Sequence, residues 1–144
     1  MMTEDYVSFE TAKLLKEKGF EYNPDESYWL IDANNKMYWI SSIGAYDYVD
    51  VPTESFQRPK NGYRLVTQAM TMKWLREVHK LHIILDIHWL YFANQNGWMY
   101  TISRILENGN EYVDSKGDEN DKNFYPTYEE ACEAAIKYCL KNLI

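Results

Sequence analysis

Glycine is scarce in this sequence: six residues in 144, none of them clustered. Backbone amides close around a phosphate where glycines let the chain approach, so this scarcity argues against a nucleotide-cradling loop. Neither Gly-x-Gly-x-x-Gly nor Gly-x-Ser-x-Gly occurs. Cysteine is scarcer still, with Cys132 and Cys139 alone. Seven positions apart in what reads as one helix, they are separated by about 10 Å of rise. A disulfide needs Cα atoms within about 7 Å. Two buried free thiols are therefore expected, and they fit a reducing cytoplasm. No apolar run reaches the roughly 20 residues of a membrane span. The opening MMTEDYVSFE also lacks the basic-then-apolar pattern of a signal peptide. Basic residues are in deficit, 15 Lys and Arg against 22 Asp and Glu, giving a formal charge of −7. That balance opposes generic binding to nucleic-acid phosphates and docking on anionic membranes.

Aromatic residues are what the chain has in surplus. They make up 16% of it, with five Trp and thirteen Tyr, more than one core of this size needs. The remainder points to a partner or ligand surface. The length suits a single domain over residues 1–144.

The stretch Leu81–Ile105 organises the rest. Ile83, Leu85, Ile87, Trp89 and Tyr91 alternate with polar positions that include His82, Asp86 and His88, the mark of a half-buried strand. Ala93–Gly97 reads as the turn, with Asn96-Gly97 supplying positive φ. Trp98, Tyr100 and Ile102 then form the partner strand. Ser8 caps a first helix to about Lys18, with Gly19 as its left-handed stop. Tyr28–Asp32 and Met37–Ile43 are short strands around Ala33–Lys36, and Asp47–Val51 is a third. Pro52–Tyr63 is a connection. Thr67 caps a second helix, Gln68–Lys80, expected to bury the stripe Met70, Trp74, Val78 and Leu81. Glu111–Asp114 is a weak strand and Ser115–Asn123 a charged loop. Thr127 and Glu130 form a capping box for the last helix, in which Ala131, Ala135, Tyr138, Cys139 and Leu143 line one side.

The fold expected is α+β: antiparallel β-hairpins forming one sheet with three helices packed on it, in the order α-β-β-(β)-α-β-β-(β)-α. A shift of about sixty residues lays Trp29, Leu30, Ala33 and Asn34 on Trp89, Leu90, Ala93 and Asn94. With two residues added it lays Met37, Tyr38 and Ile40 on Met99, Tyr100 and Ile102. An internal duplication is one reading; the other is that aromatic hairpins favour the same residues.

Three blocks carry a resemblance. Glu4–Phe20 (EDYVSFETAKLLKEKGF), Gln68–His79 (QAMTMKWLREVH) and Tyr128–Ile144 (YEEACEAAIKYCLKNLI) resemble a family of small proteins encoded by gut Bacteroides and their phages. The strand region between the blocks departs from other members. No activity, cofactor or catalytic residue is established for that family, so the resemblance implies only a cytoplasmic protein of a bacterium or its mobile elements.

Candidate chemistry is sparse. His82, Asp86 and His88 share strand parity, yet His82 and His88 lie roughly 20 Å apart at 3.3 Å per residue, too far for one ion. Asp86 and His88 lack further ligands, and His79 falls on the helix. Asp114–Asp121 departs from the calcium-loop spacing. No histidine is placed to activate either cysteine. No cofactor is expected. Trp39, opposite in parity to Tyr38 and Ile40, faces outward beside Met37, and these two residues are the expected interface. The functional expectation is a non-enzymatic cytoplasmic interaction protein that engages a protein partner or a second copy. One alternative is a nucleic-acid binder of double-stranded-RNA-binding topology using Lys73, Arg76 and Lys80. The other is a small aromatic-lined ligand- or glycan-binding protein or enzyme.

Overall fold

A computed structural model describes residues 4–41, 61–117 and 124–144. Nine elements follow in order: α1 (Phe9–Glu17), β1 (Tyr28–Ile31), β2 (Met37–Ile40), β3 (Tyr63–Arg64), α2 (Gln68–Val78), β4 (Leu81–Leu90), β5 (Gln95–Leu106), β6 (Gly109–Lys116) and α3 (Tyr128–Asn142). The fold is α+β, and the order of helices and strands is the expected one, except that the strand before α2 is Tyr63–Arg64. The chain divides into two compact units, one of residues 6–66 and one of residues 1–5 with 67–144.

In the unit of residues 6–66, Ser8 opens α1 by accepting the Thr11 amide at 3.2 Å. The helix closes as glycine stops do: Gly19 sits at φ 83, and Phe20 N–H donates to the Leu15 carbonyl at 3.0 Å. Its buried face is Thr11, Ala12 and Leu15, and it packs on β3. Val7, Leu30, Ile31, Leu65 and Val66 are buried with them in this unit. The β1–β2 turn is built on Asp32, whose Oδ1 accepts the amides of Asn34 and Lys36 at 2.9 Å each. Asn35 takes positive φ in that turn. The third strand is Tyr63–Arg64, which the sequence placed at the end of a connection. Residues 42–60, and with them the expected Asp47–Val51 strand, lie outside the described residues.

In the other unit, Thr67 caps α2 through the Met70 amide (3.1 Å) and Thr127 caps α3 through the Glu130 amide (3.2 Å). The Glu130 carboxylate meets the Thr127 hydroxyl at 3.2 Å, so the box closes on the side chain. Both helices pack on the β4–β5 hairpin. The core is Leu75, Leu81, Ile83, Tyr100, Ile102 and, from α3, Ala131, Cys132, Ala135, Ile136, Cys139 and Leu140. β6 begins earlier and ends later than the sequence indicated, because its backbone stays paired with β5 as far as Tyr100↔Lys116.

Several expectations need correction. Among the described residues the strands form two three-stranded antiparallel sheets, β2-β1-β3 and β4-β5-β6, instead of one. In each sheet the middle strand is paired along both of its edges. Among the described residues, the pairing differs between the two proposed repeats. The first strand is central in one sheet and the second in the other. Trp29 pairs with Trp39, whereas Trp89 pairs with Asn96, and the proposed counterpart of Trp39, Thr101, pairs with Ile84. The β4–β5 turn lies at residues 91–94, with Asn94 at positive φ, while Gly97 is already in β5.

The face of α2 is also rotated from expectation. Gln68, Thr71 and Leu75 are buried, while Met70 and Val78 are exposed and Trp74 is half-buried. Two buried polar residues are admissible there because each is satisfied. Gln68 Nε2 donates to the Glu129 carbonyl at 2.9 Å, and Thr71 Oγ1 donates to the Thr67 carbonyl at 2.9 Å.

Candidate functional site

The β4–β5 register sets His82 opposite Ser103, Asp86 opposite Met99 and His88 opposite Gly97. The three side chains leave the same face, and the partners add no ligand. Among the described residues, no group of three or more His, Cys, Asp or Glu could hold a metal ion. His79 ends α2 edge-on to Trp74, ring centroids 4.5 Å apart, and burial lowers its pKa. Cys132 and Cys139 are fully buried free thiols. Burial above all pushes each pKa up to about 12. The Cys132 thiol donates to the Met72 sulfur at 3.6 Å, a packing contact. A thiol held protonated in this way is a poor nucleophile at neutral pH.

Met37 and Trp39 lie on β2, at the edge of its sheet among the described residues, and are 42% and 39% exposed. Register puts them on the same face as Trp29, Ile31 and Tyr63. Phe9 of α1 stacks edge-on against Tyr63 at 5.4 Å. The helix therefore covers the β3 side of that face, and β2 lies furthest from it. One face of Trp39 rests on Trp29, centroids 5.0 Å apart. On the opposite face the Arg64 guanidinium is used internally. It stacks over Tyr28 (4.3 Å) and Tyr22 (5.2 Å) and donates to the Asn23 carbonyl at 2.8 Å.

A larger exposed apolar surface lies at the end of the β4–β5 hairpin. Along β4 the helix-facing residues pass from buried (Leu81, Ile83) to 51% exposed at Ile87 and 45% at Trp89. Tyr91 and Phe92, in the turn, are 85% and 60% exposed. The scaffold beneath them is well packed. Leu90 is buried against Gly97, and a Cβ at that glycine would lie 2.5 Å from Leu90 Cδ1 and 3.1 Å from Phe124 Cδ2. Phe92 meets Phe124 edge-on at 5.9 Å, and Trp98 meets Tyr128 of α3 edge-on at 5.4 Å. The backbone of Trp98 also exchanges hydrogen bonds with that of Tyr125, at 2.8 and 3.1 Å.

Sequence reasoning read this hairpin as half-buried, one face in the core, and missed its tip as a surface. A signal was present. From Ile87 to Ser103, seventeen residues, there is no Asp, Glu, Lys or Arg, in a chain that is 26% charged. Such a run is either wholly buried or a neutral contact surface, and alternation alone does not separate the two.

The outer stripe of α2, Met70 and Val78, is shorter and is bordered by exposed Lys73, Arg76 and Glu77. Lys80, expected at the basic edge of that helix, takes positive φ after it, and its Nζ donates to the Glu77 carbonyl at 3.1 Å. No helix among the described residues is long and apolar enough to cross a membrane. Comparison with known proteins found no matching family model, no matching curated protein and no matching solved structure.

Proposed function

We propose that this chain is a non-enzymatic interaction protein, acting in the cytoplasm of a bacterium or of the host of a mobile element, and that its principal contact surface is the β4–β5 tip. The observation that carries the reading is the exposure of Ile87, Trp89, Tyr91 and Phe92 on a packed, charge-free hairpin end. Large aromatic anchors contribute most of the binding energy at protein interfaces, and charged residues are depleted at interface centres. Met37 and Trp39 form a smaller exposed pair and are assigned a secondary role.

Site-specific photo-crosslinking in cells tests this. A photoreactive residue at position 91 is expected to give discrete protein adducts that one at exposed Glu107 does not. The adducts are then identified by mass spectrometry and the complex rebuilt from purified components. No adduct at position 91, or the same pattern at both positions, overturns the reading.

A further inference from the structure

The chemistry of the tip also selects a partner. We infer that the β4–β5 tip seats on the tip of a second copy of this chain. The inference rests on the reading of the tip as a contact surface and names what contacts it.

Charge is the first argument. Two copies each carrying −7 repel one another, and juxtaposed like charges are costly at an interface. The residues Ile87–Ser103 themselves bring no Asp or Glu to the meeting point, so contact between these two stretches sets no like charges of their own against each other. A two-fold contact places the same patch against itself, which a neutral apolar patch tolerates and a singly signed one does not.

Area is the second. At roughly 200 Å² for a fully open large side chain, the four tip residues leave about 500 Å² open per copy, or about 1,000 Å² for a pair, the lower bound for a specific interface. Met37 and Trp39 alone offer less than half of this. Preorganisation is the third. Leu90 against Gly97 and Trp98 against Tyr128 hold the base of the hairpin end, and Phe92 is held against Phe124, so that one of the four tip side chains has less freedom left to lose on association. An interface at this lower bound belongs with weak, transient associations.

Sedimentation equilibrium of the full chain, at about 50 mM and about 500 mM salt, tests the inference. Concentration-dependent dimers are expected, and they are expected to strengthen with salt as the net repulsion is screened. The pair Tyr91→Ser and Phe92→Ser is expected to raise the dissociation constant tenfold or more. Tyr91→Glu, at a position too exposed to affect folding, is expected to do the same by restoring like-charge repulsion. Trp39→Ser is expected to leave it unchanged. A wild-type monomer at every concentration and salt overturns the inference. So does a dimer that salt weakens, or one that Trp39→Ser dissociates and the tip changes do not. If the wild type is monomeric but crosslinks another protein from position 91, the second copy is ruled out as partner while the interaction reading stands.

Discussion

Gly97 and Asp32 show how much local geometry single residues decide. Any side chain at Gly97 meets Leu90 and Phe124 within the packed base of the tip. Gly97→Ala is expected to destabilise the chain by about 1–3 kcal/mol, the usual cost of overpacking, measured as a lowered urea midpoint. The sequence made this glycine a turn residue. Positive φ and close approach both require glycine, and only the paired register distinguishes them. Asp32 acts through charge. The Lys36 amide first, then the Asn34 amide and the Tyr38 hydroxyl at 3.1 Å, hold its carboxyl below the usual carboxylate range. A group whose folded pKa is depressed adds stability above its unfolded pKa of about 3.9, and that stability is lost as pH falls through the folded value. The β1–β2 amides are therefore expected to lose protection from hydrogen exchange in acid below pH 4. In Asp32→Asn that pH dependence is expected to vanish. A wild-type profile that stays flat through this window would refute the assignment.

Elements were legible where capping and alternation agreed. Ser8, Thr67 and Thr127 begin their helices as read, because an N-cap is a local bond between neighbours in sequence. The face of α2 was not legible. Met70, Trp74 and Val78 are the more apolar stripe, but apolarity on nearly all sides leaves the rotation of a helix to its tertiary partners. One such partner is the Glu129 carbonyl, which accepts from Gln68, while the Thr71 hydroxyl is satisfied within the helix's own first turn by the Thr67 carbonyl, so both can turn inward. Leu75→Ala, at a fully buried position, is expected to cost about 2–5 kcal/mol. Val78→Ala, on the exposed stripe, is expected to change stability by less than about 0.5 kcal/mol. Thermal unfolding of the two variants measures the difference. Equal losses would mean that α2 presents the other face. The charge-free tip was visible as composition, yet its exposure depends on where α2 and α3 stop covering β4, a distance that no stretch of sequence encodes alone.

At the scale of the molecule, sequence order was read correctly and the grouping of strands was not. Order is fixed by where helical and alternating periods change along the chain. Grouping depends on which strand edges find partners, and β3 returns to β1 through a pairing only two residues long. The division into units also has an architectural consequence. Residues 1–5 belong with residues 67–144, so the body of residues 6–66 interrupts the other in sequence. Its two ends are held together by the Val7 N–H to Val66 carbonyl bond at 3.0 Å, and the ends it separates by the Gln68 N–H to Asp5 carbonyl bond at 2.8 Å. Replacing residues 6–66 with a short glycine linker is thus expected to leave a cooperatively melting body of two helices and the β4-β5-β6 sheet, because the excision leaves no gap to span. A non-cooperative melt of that product would show that the two bodies depend on each other to fold. Chain ends closed in this way are the geometry of a graft: one segment is spliced into the sequence of another, and its loss or exchange is expected to leave the host fold in place.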